Sequence, residues 1–109
     1  MKICAISDIH GHLINIPECD VLCIAGDVVN LLAQRDNEES DKFWSITFVN
    51  WVDKLPCKKV IVVPGNHDIY IENLINDIIK DLSWQDFKTK ISALTDNKVV
   101  FLVDELYEY

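Results

Sequence analysis

Three short runs rich in β-branched residues, "KICAIS" (2–7), "DVLCIAG" (20–26) and "KKVIVVPG" (58–65), restrict this chain more than any other feature. A fourth, "KVVFLVDE" (98–105), follows near the end. The runs are nearly continuous in apolar residues and lack clean alternation, so they read as strands buried on both faces of a sheet. Helical patterns lie between them. From Ser40 to Leu55, Phe43, Ile46, Val49 and Val52 recur at helical spacing, with Ser40 as the cap and Pro56 as the stop. From Ile71 to Leu82, the residues Ile71, Leu74, Ile75, Ile78, Ile79 and Leu82 make one apolar stripe. Strand–helix–strand alternation gives an α/β fold, a parallel or mixed β-sheet with flanking helices. The first crossover, Gly11 to Glu18, is too short for a helix. With 109 residues and no repeats or linkers, residues 1–109 form one domain.

Half the residues are hydrophobic (50%) and 26% are charged, a globular balance. The net charge of -8 and the pI near 4.6 exclude a basic footprint for non-specific nucleic-acid binding. A phosphate ester is still admissible, because bound cations reverse the local field. No apolar run reaches the roughly 20 residues of a membrane span. A cleaved signal peptide would carry away "SDIHGH" (7–12), so the chain reads as cytoplasmic. Cys4, Cys19, Cys23 and Cys57 lack CxxC spacing and read as buried or half-buried thiols in a reducing compartment, with a Cys-based zinc site as the alternative.

Each of the first three strands ends in similar punctuation: "SDIHGH", then "AGDVVN" (25–30), then "PGNHD" (64–68). Ligands of open parallel sheets bind beyond the carboxyl ends of the strands. Asp8, His10, His12, Asp27, Asn66, His67 and Asp68 should therefore converge there. Singly, each motif is an ordinary turn signal; three in order, each carrying Asp, His or Asn, point to a common purpose.

That purpose is metal chemistry. Carboxylates, imidazoles and an amide carbonyl, with no thiolate, suit Mn, Fe, Zn or Ni. Asp–x–His places both side chains on one side of an extended segment, where they can chelate one ion. The lone Asp27 can bridge two ions about 3.5–4 Å apart, a pair that activates water and polarises a phosphoryl oxygen. His67, at the rim, can bind that oxygen or protonate a leaving group.

The three motifs resemble those of the calcineurin-like metallophosphoesterases, and the stretch from Glu18 to Asp68 is similar to the small single-domain branch of that superfamily. The resemblance covers residues 3–68. It implies Asp8 and His10 on a first metal, Asp27 bridging, Asn66 on the second and His67 as the catalytic imidazole. It places Asp68 behind the ligands and leaves His12 as a substrate or metal contact. The family's protein phosphatases carry an Asp and then an Arg where this chain has Asn30 and Leu31, which argues against that activity and leaves Asn30 near the site.

The family domain is about twice as long, a two-sheet sandwich whose second half adds a His and a Gly–His–x–His motif. Here the histidines are His10, His12 and His67. The resemblance thus implies half of the four-layer sandwich and a truncated domain, with one or two divalent ions held by fewer ligands. An uncovered sheet face or edge would then favour a homo-oligomer or association with another chain. The tail Tyr107–Tyr109 is either a contact or a frayed end. The expected activity is hydrolysis of phosphodiesters or phosphomonoesters. The alternatives are a non-catalytic metal-binding or protein-interaction module, and a regulator that holds a nucleotide phosphate without cleaving it.

Overall fold

Four strands, β1 (Ile3–Ser7), β2 (Val21–Ala25), β3 (Lys59–Val63) and β4 (Val99–Phe101), lie side by side in chain order. All three pairings are parallel, so the sheet is not mixed. The computed structural model describes residues 1–30, 33, 36–65, 68–79 and 82–103. Its register aligns Cys4, Leu22, Val60 and Val99 in one row, and Ile6, Ile24, Val62 and Phe101 in the next. Both rows face a core shared with helical residues that include Trp44, Phe48, Val52, Ile71, Leu74 and Phe87. Burying Leu22, Ile24, Val60 and Val62 stabilises the fold by about 1.5–3 kcal/mol each.

The opposite face is open. Ile3 is 60% exposed and Val63 47%, and Ala5, Ser7 and Ala25 are exposed beside them. Cys23, Ile61 and Val100 are half-buried there. The expectation of burial on both faces is corrected. The strands are apolar throughout, but the described helices cover one side, and on the other Val21 is buried while its neighbours are exposed or half-buried.

The helix expected from Ser40 starts earlier and changes winding. Helix α1 (Asn37–Lys42) is capped by Asp36, whose side chain accepts the Glu39 N–H at 3.1 Å. Ser40 is instead buried and donates its hydroxyl to the Ala33 carbonyl at 2.7 Å. Phe43–Phe48 then winds as a π-helix before α2 (Val49–Asp53). Wider π winding brings residues five apart onto one side. Phe43 and Phe48 are both buried with Trp44, while Ile46, expected inward, is 57% exposed. The Trp44 and Phe48 rings meet edge-on at 4.8 Å, and Trp44 also contacts Phe101 of β4 at 5.5 Å.

Helix α3 (Ile69–Ile75) is shorter than the apolar stripe 71–82. Asp77 takes a left-handed φ of 59°; its N–H donates to the Leu74 carbonyl, and the Ile78 N–H reaches back to Asn73 at 2.9 Å. This closure satisfies the last carbonyls of the helix and turns the chain away. It leaves Ile78 61% exposed.

A helix absent from the sequence reading, α4 (Trp84–Leu94), follows. Ser83 caps it by accepting the Asp86 N–H at 3.0 Å, and Phe87 and Ile91 enter the core. The crossover Gly11 to Glu18 carries no helix. Strand β4 is shorter than the apolar run 98–105, of which residues 104 and 105, like Tyr107–Tyr109, lie outside the described residues. Among the described residues, no helix is long and apolar enough to cross a membrane.

Candidate metal centre

The loops leaving β1 and β2 are laced together before any side chain is considered. Asp8 N–H donates to the Gly26 carbonyl at 3.2 Å, His10 N–H to Asp27 at 2.9 Å and Gly11 N–H to Val28 at 2.7 Å. Asp8, His10 and Asp27 all adopt left-handed backbone conformations, with φ of 53°, 44° and 53°. Non-glycine residues occupy that region at a cost of about 1–3 kcal/mol, and such residues cluster at functional sites. The lacing overrides that cost and turns the three side chains toward one another.

The result is a compact donor set. One ligand atom from each of Asp8, His10 and Asp27 falls within 4.8 Å of the others. Asp8 is exposed and the other two are half-buried, so the cluster is open to solvent on one side. Two carboxylates and an imidazole at this spacing fit a divalent ion of the Mn to Zn series.

A buried carboxylate braces the cluster from behind. Asp68 is fully buried; its Oδ1 accepts the Val28 N–H at 2.9 Å and the Val29 N–H at 3.1 Å, and its Oδ2 accepts the Gly65 N–H at 2.8 Å. Burial pushes its pKa up, the Gly65, Val29 and Val28 N–H groups pull it down, and the nearby Asp27 charge raises it further. Gly65 packs against the same loop: a Cβ there would overlap the amide nitrogen and carboxylate of Asp27 and lie 2.7 Å from the Gly26 Cα.

His12 is exposed, and with His10 and Asn30 it lines a hollow of about 540 Å³ beside the cluster. Asn30 closes a turn, its Oδ1 accepting the Ala33 N–H at 2.7 Å. The hollow is completed by Glu39, Lys42 and Thr47, which the sequence analysis did not single out. No motif marks them, since they approach only because the α1 and π-helical segment folds over the first loop. Asn66 and His67, expected as metal ligand and catalytic imidazole, lie outside the described residues.

A parallel α/β sheet with carboxylates and an imidazole clustered beyond its strand ends defines a class of open α/β proteins that bind ligands at that end. Within that class, residues 1–105 match the calcineurin-like phosphoesterase family, and the chain belongs to it. The chain is also similar to the probable rhamnogalacturonate lyase C of Emericella nidulans, at 26% identity over 72 residues. That stretch is 66% of this chain and 6% of the fungal protein.

Proposed function

We propose that the chain is a metal-dependent phosphoesterase unit acting on phosphodiesters or phosphomonoesters. The observation that carries this reading is the convergence of Asp8, His10 and Asp27, in a chain that belongs to the calcineurin-like phosphoesterase family. Asp8, His10 and Asp27 would hold a divalent ion, and Asp27 with Asn66 would serve a second. Such ions, when bound, polarise a phosphoryl oxygen and lower the pKa of water. The two carboxylates would offset the cationic charge, and His10 would add a ring-nitrogen ligand. His67 would supply the proton to the departing oxygen. His12 and Lys42 line the hollow that receives the rest of the ester. The reading assigns residues 1–109 to one domain of the family, working in a reducing, cytoplasmic setting.

The open sheet face favours a second property, association with another copy or another polypeptide. Apolar faces of this kind are ordinarily covered. If turnover is absent, the same fold serves as a metal-binding interaction module. Hydrolysis of a chromogenic phosphodiester with added Mn²⁺ tests the main reading. Activity in the wild type that Asp27→Asn abolishes supports it. Equal rates in the two folded proteins would overturn it.

A further inference from the structure

The end of the sheet opposite the metal cluster gathers three thiols. Cys19 precedes β2 and Cys57 precedes β3. The Cys19 N–H donates to the carbonyl of Pro56 at 3.1 Å, and that carbonyl is bonded to the Cys57 nitrogen. The two chain segments therefore run side by side at this point. Cys4 of β1 and Cys57 both lie near enough to the Cys19 thiol to act on it electrostatically, Cys4 the more strongly. Cys19 is buried, whereas Cys57 is half-buried. Both line a hollow of about 550 Å³ whose rim carries Lys2, Lys58 and Asp20. Asp20 is engaged there, accepting the Lys2 N–H at 2.8 Å and lying 4.0 Å from the Lys58 Nζ.

We propose that Cys57 and Cys19 form a dithiol that exchanges with small disulfides, Cys57 attacking from the hollow and Cys19 resolving from beneath it. In the first step the Cys57 S–H loses its proton to water and the thiolate attacks one sulfur of the small disulfide. That S–S bond breaks, and one small thiolate leaves and takes up a proton. In the second step Cys19 loses its proton to water, its thiolate attacks the Cys57 sulfur, the mixed S–S bond breaks, and the second small thiolate leaves and takes up a proton. The two protein thiols are oxidised to one disulfide and the small disulfide is reduced to two thiols. The order follows access: Cys57 is half-buried and meets the reagent first, whereas Cys19 is buried. Burial pushes both thiols above their ordinary range, Cys19 to about 11, while Lys98 draws Cys57 partly back. Exchange is therefore slow at neutral pH and accelerates as the solution becomes alkaline. The product ties the entry of β2 to the entry of β3, away from Asp8, His10 and Asp27.

The test treats the folded protein with 4,4′-dithiodipyridine and follows both the released thiopyridone and the protein mass. Wild type is expected to lose two hydrogens at this pair, retain no adduct there, and yield a Cys19–Cys57 cross-linked peptide. Cys19→Ala is expected to keep a stable thiopyridyl adduct on Cys57. A persistent adduct on Cys57 in wild type, or a cross-link mapped to Cys4 in place of either residue, overturns the proposal. The wild-type peptide map decides the matter even if the variant fails to fold.

Discussion

The carboxylate of Asp68 accepts the backbone N–H of Val28 at 2.9 Å, joining residues 40 positions apart. The same side chain holds Val29 and Gly65, so one buried acid ties the loop after β2 to the loop after β3. Asp68→Ala strands two buried donors, Val28 and Val29, and the half-buried Gly65 N–H, and should destabilise the protein by about 3 kcal/mol. Asp68→Asn should cost less. Its carbonyl oxygen can keep Val28 and Val29, while its NH₂ faces the Gly65 N–H with no lone pair to offer. Urea unfolding measures both. An alanine variant within about 0.5 kcal/mol of wild type would mean that these contacts do not brace the loops.

Gly65 occupies a place that no side chain can share with Asp27. The Cβ of an alanine would overlap the Asp27 amide and carboxylate, and both belong to a loop fixed by Asp68. Gly65→Ala should cost about 3 kcal/mol and displace Asp27 from Asp8 and His10. Thermal denaturation reads the first effect and Mn²⁺ affinity the second. Unchanged stability with unchanged Mn²⁺ binding would show that the loops separate freely.

Tyr70 gives the fold an alkaline limit. Its phenol is buried and donates to Asp41 Oδ1 at 3.1 Å, an oxygen that also pairs with the Lys90 Nζ at 2.8 Å. Burial first, and the Asp41 charge second, raise its pKa above the ordinary value of 10.0. The unfolded chain therefore releases this proton at lower pH than the native one. The stabilisation is complete below about pH 10 and is lost as pH rises through the native pKa. Cys19 acts with the same sign. Tyr70→Phe should lose about 1 kcal/mol at neutral pH and flatten, without abolishing, the alkaline decline in urea midpoint. A decline as steep as wild type's would assign it to other groups.

The strands and the clustering of Asp8, His10 and Asp27 were legible because β-branched runs and strand-end turns are local signals. The helices were less so. Phe43 and Phe48 share a face only because the segment between them winds as a π-helix, and a 3.6-residue template assigns Ile46 to the core instead. Asp77 ends α3 by backbone closure while the apolar stripe continues past it. Helix α4 carried a readable signal, a Ser83 cap followed by Trp84, Phe87 and Ile91, but its amphipathic stripe is narrow. Lys42 and Thr47 beside the hollow, and Cys19 beside Cys57, meet through tertiary packing alone, and no spacing along the chain announces either.

The central claim is that Asp8, His10 and Asp27 form a divalent-metal site. The most direct measurement is a Mn²⁺ titration of the folded protein followed by electron paramagnetic resonance, comparing wild type with Asp27→Asn. Wild type should quench the free-ion signal, and the variant should bind roughly tenfold more weakly or worse. Equal binding by the two proteins, or none by wild type, would contradict the account.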